Sequence, residues 1–440
     1  MKGNLLKKLN ENTPECIKKI LSKAIRLKVI NNNVFKNQFN EIKIFEQKSN
    51  NEKDEIHFRK VKETLIYAYE NTDYYKELFD KINFNPYCVK HVNDIRKIPT
   101  INKKEVMDNF NKFISREDID YYIAYTGGST GKPLKILLDT ESIYKEKAFV
   151  YNYWSKFGYD FRKSKIITLR GLEFKEKIYK YNPIDNQIIL NPFKLNKNNI
   201  EEYVNIIEKF NPDIIHGYAS AIYNLCRILN SKNLKLNINI KTVCFVSENV
   251  NEFEKEYIEK TLNCKSNIFY GHSERIVFAE FLNDSYKFND LYTHVELIKT
   301  EKKDIYSIAC TGLISRKMPL INYVPDDYII YKDNKINIYG HWDKELLIGV
   351  NEEKVSMASI NFHNEVFEKI KCYQFEQFEK GKVYLNIVED NELTELDKKY
   401  IKSSLQNKLK NIIDIELNIV DQIPLTKRGK YKKVIQHIEH

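Results

Sequence analysis

From Tyr125 to Pro133 the chain reads YTGGSTGKP, which sets Thr126, Gly127, Gly128, Ser129, Thr130, Gly131 and Lys132 in one uninterrupted run. Glycine-rich backbone exposes its N–H groups. Together with Ser129, Thr130 and Lys132 they can surround phosphate oxygens with charge-assisted hydrogen bonds. A P-loop would need glycine six positions ahead of the lysine and a hydroxyl residue directly after it. Thr126 and Pro133 occupy those two places, so this is a different phosphate loop. A second run with chemistry in it is Tyr270-Gly271-His272-Ser273-Glu274, where the Glu274 carboxylate offers oxygen to Mg²⁺. His272 is left without a role, because no metal-ligand partner is spaced for it. A third run, Thr426-Lys427-Arg428-Gly429-Lys430, joins a glycine turn to clustered basic residues, and composition alone makes it a solvated loop.

The elements that must position these residues follow from periodicity. DYYIAY before the glycine-rich run and LKILLD after it both have strand character, so the loop joins strand to strand. Between residues 199 and 274 the pattern alternates: NIEEYVNIIEKF helical, DIIHGY extended, SAIYNLCRIL helical, TVCFVSE extended, EFEKEYIEKTL helical, NIFYGHSE extended. Such alternation predicts βαβ units and a parallel sheet, whose ligands gather beyond the carboxyl ends of the strands. Those ends carry His216-Gly217-Tyr218, Ser247-Glu248 and Tyr270-Gly271 through Glu274. Ser247 and Glu248 also suit the cap of the next helix. The last hundred residues predict a small α+β domain. Its helix opens on a Thr394/Asp397 capping box and carries an apolar stripe of Leu396, Tyr400, Leu405, Leu409 and Ile412.

Composition bounds the reading. The 440 residues are 42% hydrophobic, enough for a large core and more than one domain. A net charge of +10 from 71 basic and 61 acidic residues is spread along the chain, which argues against a dedicated nucleic-acid stripe. Seven cysteines at 16, 88, 226, 244, 264, 310 and 372 form no CxxC pair and suit reduced thiols in a cytoplasmic protein. The basic, amphipathic N-terminal thirty residues lack the apolar run of a signal peptide or a membrane span, and their apolar face is expected to dock on the protein itself.

The ordered series YTGGSTGKP, YGHSE, YVPDD, GHWD and PLTKRGK resembles the motif series of the adenylate-forming superfamily of acyl-CoA ligases, luciferases and peptide-synthetase adenylation domains. Within it, the chain is most similar to the phenylacetate-CoA ligase family and its relatives from capsule polysaccharide gene clusters. The resemblance implies a large N-terminal α/β domain, 1–340, with a parallel βαβ sheet, and a mobile α+β lid, 341–440. It also implies an acid-thiol ligase that uses ATP and Mg²⁺ to make an acyl adenylate and transfers the acyl group to CoA.

By the same resemblance, Thr126 to Lys132 cradle the β- and γ-phosphates. Tyr270 stacks on adenine beside Gly271, Glu274 supports Mg²⁺, Ser273 lies near the α-phosphate and Asp327 binds the ribose. Ser247 and Glu248 are counted with the ATP site, Asp343 is the hinge and Lys430 the catalytic lysine. The acyl pocket is expected near His216, Tyr218, Ala219, Cys244 and Phe245. Two departures stand out: His341 where the family usually has Arg, and Asp326 where it usually has Gly. They are read as variation in a working enzyme. An amine acceptor in place of CoA is the alternative chemistry, and a basic protein binding nucleic acid or membrane, its ATP site lost, is the alternative class. The identity of the acid and the oligomeric state are left open.

Overall fold

The structure is a computed structural model that describes residues 27, 29–125, 134–170, 177–183, 185–246, 250, 252–340, 346–351, 354–356, 369–409, 412–425 and 432–438. The chain forms two compact units, each assembled from separated segments: 1–166, 181–187 and 267–339 in one, 167–180, 188–266 and 340–440 in the other. The expected division into 1–340 and 341–440 concerns moving parts and is taken up below as a proposal.

In the first unit, the strands Tyr121–Tyr125 and Lys135–Asp139 pair antiparallel from Tyr121↔Asp139 to Tyr125↔Lys135. The glycine-rich run therefore links the two arms of a hairpin, as its flanks predict. Asp139 ends the second arm and caps the helix Thr140–Ser155, its Oδ1 accepting from the Ser142 N–H at 2.8 Å. The end of the strand Lys265–Gly271 pairs antiparallel with Phe278–Leu282, which pairs with Ser285–Phe288. Thr293–Lys299, Ile305–Gly312, Tyr328–Lys332 and Lys335–Gly340 follow as a four-stranded sheet in chain order. Tyr75, Phe79, Phe113, Ile136, Leu138, Ile308 and Ile321 pack into its buried core.

The second unit holds the parallel pair Ile214–Gly217 and Thr242–Phe245, buried along both strands. Buried on both faces, parallel strands read as continuous apolar runs. The helices Ile200–Phe210, Ala219–Ser231 and Glu252–Leu262 alternate with them. Asn211 stops the first helix in the left-handed region, φ 49°, where asparagine is tolerated. At Gly217 a Cβ would sit 2.0 Å from the Leu169 carbonyl oxygen, so no other residue fits there.

Near the carboxyl end, Ile370–Glu379 and Lys382–Glu389 form a hairpin around Gly381, φ 77°. Asp414–Ile419 and Val434–Gln436 join its two arms in parallel. Between the hairpin and Asp414 the helix Glu395–Lys408 opens on the predicted capping box: the Asp397 carboxylate accepts from the Thr394 N–H and hydroxyl at 2.9 and 2.8 Å. The predicted apolar stripe of this helix is corrected. Leu396 is 79% exposed and Tyr400 41%, whereas Leu393, Ile401, Leu405, Leu409 and Ile413 face the core. Leu396 and Tyr400 share the four-residue spacing but lie one position round the helix from the buried row, where a stripe drawn through both rows cannot fit a single face.

Candidate active site

Tyr270 and His272 lie two residues apart at the end of a strand and meet the same oxygen. The Tyr270 hydroxyl donates to Asp327 Oδ2 at 2.8 Å, and His272 Nε2 stands 2.7 Å from that atom. The two rings meet edge to face, centroids 4.8 Å apart. Asp327 is buried just ahead of the strand Tyr328–Lys332, while its neighbour Asp326 is exposed.

Burial pushes the Tyr270 phenol well above its usual range, and the charge of Asp327 pushes it further, so the hydroxyl stays a donor. For His272, burial acts to lower the pKa, but the hydrogen bond and charge of Asp327, with Glu274 and Asp326, raise it on balance. The cluster is therefore rich in carboxylate, which favours the charged form of the histidine.

The chain turns at once after this strand, the Arg275 N–H donating to the His272 carbonyl at 3.0 Å. Ser273 is exposed in this turn and Glu274 half-buried. Arg275 takes φ 54°, and its side chain pairs with Glu146 at 2.8 Å. Neither His272 nor Arg275 had been given a role from sequence. For His272 the signal was present: residues two apart on a strand face the same side, and Tyr270 had been singled out.

In the second unit, His216, Tyr218, Ala219, Cys244 and Phe245 come together at two adjacent strand ends and the start of the helix Ala219–Ser231, all buried. His216 Nδ1 lies 3.4 Å from Thr168 Oγ1, and the Tyr218 N–H donates to the Leu169 carbonyl at 2.9 Å. Together they make a buried group of mixed aromatic and polar character.

The glycine-rich run Thr126 to Lys132, Ser247 and Glu248, His341, Asp343 and Lys430 lie outside the described residues, as does the N-terminal segment 1–26 with Cys16. Among the described residues, the other six cysteines are free thiols, and no three His, Cys, Asp or Glu form a metal cage. Mg²⁺ asks for less: one or two carboxylates, with phosphate oxygens and water completing its octahedron. Glu274, beside the carboxylate-rich cluster, fits a Mg²⁺ that arrives with a nucleotide.

Residues 347–437 match the family described as the CapK C-terminal domain. Over 408 residues the chain is 24% identical to Protein CapK of Staphylococcus aureus, covering 88% of this chain and 89% of that protein. A stretch of 77 residues is 34% identical to the phenylacetate-coenzyme A ligase of Escherichia coli strain K12, covering 17% and 18%. Among solved structures, 2-hydroxyisobutyryl-CoA ligase in the postadenylation state superposes with a TM-score of 0.67 at 12% identity, over 88% of this chain and 90% of that one. The fold is therefore that of the adenylate-forming ligases. The resemblance to that superfamily, its phenylacetate-CoA ligase family and their capsule-cluster relatives holds in sequence as well.

Proposed function

We propose that this chain, built on the adenylate-forming ligase fold, is an acid-thiol ligase: it joins a carboxylic acid to ATP as an acyl adenylate and then passes the acyl group to CoA. The observation that carries the reading is the convergence of Tyr270 and His272 on Asp327, one turn away from Glu274. An aromatic ring, a buried carboxylate and a second carboxylate are what adenine, ribose and a metal-bound phosphate require. In the first half-reaction an acid oxygen attacks the α-phosphorus, and the bond to the β-phosphate breaks with release of pyrophosphate. In the second, the thiol sulfur attacks the acyl carbon, and the bond to AMP breaks.

Two anions must meet in the first step, so preorganised cations lower its barrier most. Lys430 is assigned to that task. Bound Mg²⁺ would supply charge neutralisation on the phosphates, and Glu274 is the residue that would hold it. Asp327 takes the ribose hydroxyls, Tyr270 the adenine face, and Thr126 to Lys132, with Ser247 and Glu248, the phosphate side. Ser273 lies near the α-phosphate, and His216, Tyr218, Ala219, Cys244 and Phe245 line the acid. Residues 341–440 act as a lid turning at Asp343, which shields the labile adenylate from water and then admits the acceptor. No described helix is long and apolar enough to cross a membrane.

The test is pyrophosphate release over a panel of aryl, short aliphatic and sugar acids, with hydroxylamine present to trap acyl-AMP. A trapped hydroxamate for one acid supports the reading, and background release with every acid sinks it. Adding CoA or an amine to the positive acid then identifies the acceptor by which one accelerates AMP release. Binding to a polyanion that falls with salt and ignores ATP would favour the basic binding protein instead.

A further inference from the structure

The Arg275 side chain lies where three segments of the first unit meet. Its Nε pairs with Glu146 Oε2 at 2.8 Å, and its Nη1 donates to Ser142 Oγ, also at 2.8 Å. Its guanidinium carbon lies over the Tyr122 ring, 5.5 Å from the centroid, and the side chain is 12% exposed. Tyr122 belongs to the first arm of the hairpin that carries the glycine-rich run, four residues ahead of Thr126. Ser142 follows the second arm: its hydroxyl donates to the Asp139 carbonyl at 2.6 Å, so it holds the arm's end while accepting from Arg275. Arg275 itself follows Glu274 directly.

The backbone is committed to this arrangement. Arg275 sits at φ 54°, a region an arginine adopts only where its surroundings impose it. Gly312 makes room: a Cβ there would lie 3.3 Å from the Arg275 carbonyl oxygen and 3.2 Å from Ile276 Cα. Asp139, the cap of the hairpin's second arm, is fixed in turn by the Arg316 N–H at 2.6 Å. A planar fork with a stacking face can meet a carboxylate, a hydroxyl and a ring at once, which a lysine ammonium cannot.

We infer that Arg275 is a positioning residue that locks both arms of the glycine-rich hairpin to the turn bearing Glu274. It thereby holds the base of the hairpin against the turn bearing the carboxylate meant for Mg²⁺. The inference rests on the nucleotide role proposed above. Its signature is specific: loss of the clamp should uncouple Mg²⁺ from ATP binding, because each still finds its own residues but no longer at a shared spacing.

The experiment is calorimetric titration of the full chain with ATP, without acid substrate, in Mg²⁺ and in EDTA. Wild type is expected to bind ATP at least about tenfold more tightly with Mg²⁺. Arg275→Lys, which keeps the charge but loses the fork, should shrink that advantage to within about threefold while affinity in EDTA changes less than about threefold. Combined with Glu274→Gln, which removes the same advantage, the two losses should be strongly non-additive. If Arg275→Lys keeps the full Mg²⁺ advantage, or weakens ATP equally in both buffers, the positioning role is wrong. If wild type binds no ATP in either buffer, the nucleotide reading itself falls. Should Arg275→Lys lose its circular dichroism signal, Ser142→Ala and Glu146→Gln each remove one anchor. An undiminished Mg²⁺ advantage in both overturns the clamp.

Discussion

His272 and His57 lie in the same unit, each within 3 Å of a neighbouring polar atom, and burial is offset in one and not in the other. His272 faces Asp327, with Glu274 and Asp326 near, and its proton is held more firmly than in water. His57 is placed in a chain of hydrogen bonds: Nδ1 lies 2.7 Å from the Asp290 carbonyl and Nε2 2.9 Å from His294 Nδ1. His294 Nε2 then lies 3.0 Å from Glu296, whose other oxygen takes Arg96 Nε at 2.7 Å. Burial lowers the His57 pKa, and the second imidazole lowers it further, against the pull of Asp290 and Asp54. The His57 chain ends on an arginine, so its carboxylate is already neutralised inside the fold. The groups that raise His272 are carboxylates, an excess of negative charge suited to receiving a cation from outside. A histidine with a carboxylate near it is thus not by itself a site; the charge balance around it separates a structural network from a ligand-receiving one.

That contrast can be broken by substitution. Lys430→Ala and Glu274→Gln should give the largest effects, each lowering acyl-AMP formation by on the order of 10² or more, with thermal stability unchanged. On the proposed hinge motion, the thioester half-reaction started from synthetic acyl-AMP should survive Lys430→Ala within roughly tenfold. Equal loss in both halves would remove the hinge motion from the mechanism. Asp327→Ala comes next. It leaves the Tyr270 hydroxyl and His272 without their shared acceptor, so ATP KM should rise about tenfold or more and stability should fall by about 1–3 kcal/mol. An unchanged KM for ATP would detach Asp327 from the nucleotide.

His294→Leu should behave in the opposite way. It leaves Glu296 short of a donor and His57 without its ring partner, at a cost of about 1–3 kcal/mol in denaturant unfolding. Pyrophosphate release per folded molecule should stay within about twofold. A large fall in activity at full folding would make the His57 chain part of the site and erase the distinction between the clusters.

Local pattern carried much of this organisation in the sequence. The hairpin around the glycine-rich run, the alternation expected from 199 to 274 and the Thr394 capping box depend on residues a few positions apart, and all are present, although the last strand stops at Gly271 and His272 to Glu274 lie in the turn after it. What pattern could not show was contact across distance. Tyr270 and His272 reach Asp327 across 57 and 55 residues, and Arg275 reaches Ser142 across 133. Motif order named Tyr270 and Asp327 separately without joining them, and it stopped at Glu274, one residue short of the clamp. The misread face of the helix Glu395–Lys408 has a different cause. Two apolar rows ran side by side, and only packing against Phe375, Leu385 and Ile415 decides which is buried.

The smallest expected effect tests the lowered pKa of His57. In the unfolded chain this ring takes up a proton near its ordinary value of 6.5, whereas in the folded chain it resists doing so. The unfolded state therefore binds more protons as pH falls below about 6.5, and stability is lost from there downward, levelling off once the folded ring also titrates. Above that value the contribution is fully present. His57→Gln can still donate to the Asp290 carbonyl but does not titrate, so its melting temperature should fall less than that of wild type between pH 7 and pH 5. For a chain of this size the difference should amount to about 1 °C per kcal/mol recovered. His272 cannot produce this difference, because its proton is held more firmly in the fold and its linkage runs the other way. Identical acid sensitivity in the two proteins would mean that His57 protonates freely in place, and the two clusters would no longer differ in the way their charges are balanced.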